Sequence, residues 1–325
     1  MDFILESART LPGYKGLLNS LNTQSVPVSA SGVCESLRPL ILELLAQDLK
    51  RTLVVIAPDE ESAAALTKQM KNAGVNALHF PARDWSFSGC DATSADFSQA
   101  RLKVLAALVA GSADAVVTCA EAACQRTVPE NELKASLKKV SVSDEIEQDK
   151  LCVWLASQGY SLTDRVEGRG QFARRGGIVD VFAPVNDEPV RIEFFGDTVD
   201  GVRSFDVMTQ KATEKLSSVT LCPADEFSFS PEKIAVIREA LEKELTKKRS
   251  GESKELVRER LSELDTGRIT CADCYLHLTH ADRCLLDYCT NAVFALIDSA
   301  RSAERHAIAS ELLKETLSSL IELAL

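Results

Sequence analysis

Three groups of residues in this sequence have types and spacing that could do chemistry. The first is a run of arginines, Arg165, Arg169, Arg174, Arg175, Arg191 and Arg203, with no lysine among them. A guanidinium is planar, permanently charged and rich in donors, so it suits carboxylates on a protein partner. Glu167, Asp180, Asp187, Glu188, Glu193, Asp197 and Asp200 are interspersed, so ordinary surface charge is the competing reading. Strand geometry supports the sharper one. Side chains two apart share a face, so Arg191, Glu193 and Phe195 point one way while Ile192 and Phe194 point the other. An exposed Phe among arginines has the composition of a protein-binding anchor.

The second group is Cys271, Cys274, His277, His280, Cys284 and Cys289, soft ligands of the kind that hold zinc. The spacing argues the other way. Cys284 and Cys289 lie too far apart to repeat the first Cys-x-x-Cys knuckle, and Tyr275, Leu276 and Leu278 read as strand residues. Buried thiols are the simpler account. The third group is the loop at residues 28–36. A phosphate-binding loop after the first strand of a parallel sheet needs glycines, a Lys and a Ser or Thr for magnesium. Only Gly32 and Ser36 meet that need, no Lys is present, and Cys34 and Glu35 occupy the critical end, where Glu35 repels phosphate. A structural turn is expected. No nucleophile–base pair, HExxH motif or paired-carboxylate signature is visible.

The elements that must position these groups follow from pattern. The chain has 325 residues, 45% of them hydrophobic, which is ample for two or three packed domains. Its net charge of −11 argues against a general nucleic-acid coat. The longest apolar run, residues 104–110, is too short to span a membrane. The opening Met-Asp-Phe-Ile-Leu-Glu lacks a secretory signal, and the ten cysteines are thinly spread, so reduced, buried thiols in a cytoplasmic protein are expected.

Residues 26–125 alternate strands (53–57, 77–80, 115–119) with helices (37–50, 60–73, 94–111, with Ser94 a candidate N-cap), which predicts a parallel sheet covered by helices. Residues 136–142 read as an edge strand and 146–159 as a helix ending at Gly159. Three strands at 177–182, 190–195 and 199–205, joined by short turns, predict an antiparallel meander. Beyond Pro223 the chain turns helical and charged, and a further strand-like run at 292–297 precedes a final helix.

Two motifs carry a family resemblance: Gly170-Gln171-Phe172-Ala173-Arg174-Arg175-Gly176-Gly177-Ile178-Val179-Asp180-Val181-Phe182, and Pro189-Val190-Arg191-Ile192-Glu193-Phe194-Phe195-Gly196-Asp197. They resemble the N-terminal module of bacterial transcription-repair coupling factors (Mfd), itself similar to the excision-nuclease subunit UvrB. The likeness is dense over 160–226 and looser at Pro58-Asp59-Glu60, Phe80-Pro81-Ala82-Arg83 and Leu285-Leu286-Asp287-Tyr288.

The resemblance implies an α/β fold in which a split parallel-sheet domain, resembling a degenerate P-loop or helicase-like domain, spans 1–136 and 223–325. A small inserted α/β domain, 137–222, contains the meander. It implies UvrA as partner, with contacts at Arg175, Arg191 and Phe195 and, by position, Arg203. It implies loss of the phosphate loop (Gly32, Cys34, Glu35, Ser36) and so no catalysis or cofactor in this chain. RNA polymerase, double-stranded DNA, ATP and magnesium belong to parts of the intact family protein, whose motor motifs are absent from this sequence. A C-terminal domain of the intact protein masks the UvrA surface in the family. The length thus suggests a fragment or a truncated form. The competing reading is a UvrB-type ATP-dependent damaged-DNA-binding subunit, which needs the intact loop and an aromatic hairpin. Residues 83–98 offer only Trp85, Phe87 and Phe97.

Overall fold

The computed structural model describes residues 2–23, 27–84, 95–247, 251–265 and 272–324. Ser94, Trp85 and Phe87 lie outside them. The strands follow in chain order: β1 (Leu53–Ala57), β2 (Ala77–His79), β3 (Ala115–Cys119), β4 (Lys138–Ser141), β5 (Ser161–Leu162), β6 (Gln171–Arg175), β7 (Ile178–Phe182), β8 (Val190–Phe195), β9 (Thr198–Phe205), β10 (Ala212–Leu216), β11 (Ser218–Leu221) and β12 (Val293–Leu296). The fold is mixed α/β, with one parallel sheet and, elsewhere, antiparallel pairing except that β5 runs parallel to β6. It divides into two compact units, Met1–Ala82 with Ala107–Gln125 and Leu285–Glu311, and Arg83–Ala106 with Arg126–Cys284 and Leu312–Leu325.

The first unit holds the parallel sheet, in the order β12-β1-β3-β2. Its central strands are apolar at nearly every position because a parallel sheet is covered on both faces. Leu53, Val55, Ala57, Ala115 and Val117 pack on one face with Leu44, Leu45 and Leu49 of the helix Arg38–Leu49 and Leu66 and Met70 of the helix Glu60–Asn72. The latter helix begins where Asp59 accepts a hydrogen bond from the Ser62 amide at 2.9 Å, an N-cap.

The second unit holds a six-stranded sheet, β10-β9-β8-β7-β6-β5, and the two-stranded pair β11-β4. The expected meander is present as β7-β8-β9, antiparallel throughout. Its tight turns rest on two glycines. Gly196 sits at φ +63° in the two-residue turn between Phe195 and Thr198. At Gly177 a Cβ would come within 2.9 Å of the Phe194 carbonyl, so only glycine fits.

One expected element differs. Tyr275, Leu276 and Leu278 are not a strand. Leu276–Thr279 is a helical turn, in which the Tyr275 carbonyl accepts from the amides of Leu278 and Thr279. Tyr275 and Leu276 are buried while Leu278 is exposed, so the alternation that suggests a strand does not correspond to two faces of a sheet. Two thiols also differ from expectation: Cys34 and Cys124 are exposed, whereas Cys119, Cys222 and Cys289 are buried. Among the described residues no helix is long and apolar enough to cross a membrane.

Candidate functional site

The arginine run separates into distinct environments once the strands pair. Arg165 pairs with Glu167 outside the strands, and Arg169 lies over the Phe182 ring with 4.7 Å from Cζ to the centroid. Arg174 faces the helix Gln148–Ser157 and pairs with Asp149 at 2.5 Å. Its neighbour Arg175 points the opposite way, as alternation requires. Register then brings Arg175, Arg191 and Arg203 together on one face. Asp180 of β7 stands opposite Arg191 of β8, which stands opposite Arg203 of β9. Two residues along, Ile178 stands opposite Glu193, and Arg175 stands opposite Ile178.

Asp180 is the centre of this face and is almost wholly buried. Its Oδ1 accepts from Arg191 Nε at 2.7 Å, and its Oδ2 accepts from Arg191 Nη2 at 3.0 Å. The same Oδ2 accepts from Arg175 Nη2 at 2.5 Å. A buried carboxylate without partners costs several kcal/mol, so this one holds both guanidiniums to satisfy itself. The hydrogen bond with Asp180 raises the Arg191 pKa above its ordinary value, against the opposing effect of burial. Arg191 also stacks over the buried Phe205 ring, 4.9 Å from Cζ to the centroid. Beside this group Arg203 Nε lies 3.3 Å from Glu193 Oε2. Phe195 ends β8 on the same side with 83% of its surface exposed. Covering a Phe side chain contributes about 1.5–3 kcal/mol, so this ring is a ready anchor for a partner.

Asp180 is the member of this candidate site that the sequence pattern did not single out. The available signal was a carboxylate in an otherwise apolar strand, on the same alternation as Ile178 and Phe182.

The other two candidate groups are placed differently. The segment preceding loop 28–36 is the helix Pro12–Asn22, so the strand expected before that loop is not formed by the described residues. Gly32 takes φ +79°, and Cys34 Sγ lies 3.3 Å from the Ser36 hydroxyl, a hydrogen bond that lowers the thiol pKa. Glu35 and Ser36 are exposed in the single turn Glu35–Leu37. The loop that does follow the first parallel strand is Pro58-Asp59, and there the Asp59 carboxylate occupies the helix N-terminus and pairs with Arg301 at 2.9 Å.

Of the Cys/His set, Cys271 lies outside the described residues. His277 is exposed. His280 is buried, with Nδ1 2.8 Å from Thr279 Oγ1 and Nε2 3.2 Å from the Ser228 carbonyl. Cys274 and Cys284 are half-buried, and the Cys289 thiol donates to the Leu285 carbonyl at 3.3 Å. Among the described residues no three His, Cys, Asp or Glu side chains come together to hold a metal ion.

Residues 139–227, which contain the whole arginine face, match the UvrB interaction domain family. A transcription-repair-coupling factor of Bacillus subtilis is 28% identical over 97% of this chain. The chain is similar to the transcription-repair coupling factors over nearly its whole length. The protein of that name from Myxococcus xanthus is 32% identical over 63% of the chain, and that of Escherichia coli 28% identical over 57%. The matched part spans only 28%, 18% and 16% of the length of these three coupling factors.

Proposed function

We propose that this chain is the recruitment module of a transcription-repair coupling factor, which binds UvrA and so brings nucleotide-excision repair to RNA polymerase stalled at DNA damage. The observation that carries this reading is the pairing of two guanidiniums, each with donors that Asp180 does not use, with an 83% exposed Phe195 on one sheet face. Arg175 and Arg191 pair with carboxylates of UvrA, Phe195 enters an apolar pocket, and Arg203 lies at the edge of the contact. The domain division at 1–136, 137–222 and 223–325 makes 137–222 the binding insert, and the remainder a degenerate relative of the UvrB ATPase domain.

The chain itself carries no catalysis on this reading. Loop 28–36 has no lysine, presents Glu35, and follows a helix. ATP and magnesium serve the DNA translocase motor of the intact family protein. The partners RNA polymerase and double-stranded DNA belong to that larger assembly.

The test is affinity for UvrA by calorimetry. Each of Arg175→Ala, Arg191→Ala and Phe195→Ala weakens binding by about 1–3 kcal/mol, and the triple variant abolishes it in a pull-down. Unchanged binding by the triple variant would overturn the assignment. An ATP titration with magnesium produces no heat; micromolar binding would instead support the UvrB-type enzyme.

A further inference from the structure

We infer that Asp180 is a positioning residue for the recruitment surface: it fixes the guanidiniums of Arg175 and Arg191 as one unit that presents a single net positive charge to a carboxylate-bearing partner. This rests on the reading of that face as the UvrA-binding surface. Three observations carry it. The carboxylate is only 1% exposed, so it is no contact for a partner itself. It takes Nε and Nη2 of Arg191 and Nη2 of Arg175, and among the described residues no hydrogen bond engages Arg191 Nη1 or Arg175 Nε and Nη1. The two arginines differ in exposure, 17% for the Arg191 side chain and 48% for Arg175, so one is a fixed base and the other a reaching arm.

The charge balance also defines the partner. Two guanidiniums on one buried carboxylate leave a surplus of one positive charge, and the Arg203–Glu193 pair beside them is neutral. The face therefore suits the carboxylates of a protein partner. A polyanion such as nucleic acid needs a larger surplus. Preorganisation explains how a long, flexible Arg can contribute affinity. Its rotamers are fixed before binding, so the partner does not bear that ordering cost.

The experiment is a double-mutant cycle with Asp180→Asn, which keeps the side chain's size, measured as UvrA affinity with the full chain. Asp180→Asn weakens binding about tenfold, and adding Arg175→Ala to it weakens binding by less than about twofold more, because the two act through one unit. Multiplying effects overturn the proposal, since a residue that merely supports folding shows no such coupling. If Arg175→Ala and Arg191→Ala weaken binding while Asp180→Asn leaves it intact, Asp180 is not positioning and the surface assignment stands. If neither arginine variant affects binding, the surface assignment fails instead.

Should Asp180→Asn not fold, the wild-type chain still decides. The Arg191 Nε–H resonance is expected to exchange slowly with water and to keep one fixed position in nuclear magnetic resonance spectra. Fast exchange there overturns the proposal.

Discussion

Arg101–Glu226 and the Asp180 cluster both join arginine to a buried carboxylate in the second unit, and the two solutions differ. Arg101 and Glu226 are both fully buried; Nε donates to Oε2 at 2.7 Å, Nη2 to Oε1 at 3.2 Å, and Nη2 also to the Arg126 carbonyl at 3.2 Å. There the carboxylate meets a guanidinium that is itself out of contact with solvent. At Asp180 one carboxylate answers two guanidiniums, and both arginines reach the surface. The same chemistry thus yields a sealed pair in one place and a surplus in the other. A sealed pair supports the fold; a surplus is available to a partner.

The largest effect should come from breaking the sealed pair. Glu226→Ala removes the carboxylate to which Arg101 Nε and Nη2 donate inside the core, which costs about 3–5 kcal/mol. A urea titration followed by circular dichroism should show the midpoint fall accordingly, while UvrA affinity of the protein that remains folded stays at the wild-type value. If binding fell and the midpoint did not, the two places would have been assigned the wrong way round.

Acid separates fold from face by another route. His280 sits edge-on between Phe227 and Phe229, with ring centroids 5.0 and 5.4 Å away, and burial pushes its pKa down to about 4. The unfolded chain, with an ordinary histidine, binds the proton more readily. Between pH about 6.5 and about 4 the unfolded state therefore holds more protons, and stability is lost as the pH falls through that window. The whole shift corresponds to about 3 kcal/mol. Urea midpoints measured across that range should fall with acid in the wild type and fall less in His280→Gln. An equal slope in both would show that His280 does not carry the effect.

Much of this was legible from residues alone. The apolar runs of β1 and β3 and the alternation along β8 read directly, because each is a local pattern that one element imposes. The face shared by Arg191 and Phe195 was visible for that reason. Arg175 was not visible by pattern, since its place depends on register across the Gly176-Gly177 turn. Arg203 depends on a still subtler feature. Counting back from the Gly196-Asp197 turn would put Thr198, Asp200 and Val202 on the Phe195 face. β9 carries one extra residue at that point, so Gly201 stands opposite Glu193 and Arg203 opposite Arg191. Asp180 was read as mere charge balance, because which side chains a buried carboxylate meets is a tertiary fact. Leu276–Thr279 failed as a strand because a run of four residues gives no period that separates the two structures.

The smallest expected effect is the most specific test of the comparison. Arg174 and Arg175 are neighbours with the same charge, yet they occupy opposite faces of β6. Arg174 pairs with Asp149 in a setting where both side chains are well exposed, 45% and 76%. An ion pair of that kind contributes about 0–1 kcal/mol. Arg174→Ala should therefore shift the urea midpoint by little and leave UvrA affinity within about twofold of wild type, against a loss of about tenfold for Arg175→Ala. Both variants remove one positive charge from nearly the same point in the sequence, so a general electrostatic attraction would weaken them alike. Equal losses, both vanishing at high salt, would mean that the partner responds to summed charge. Unequal losses mean that it reads the face that Asp180 organises.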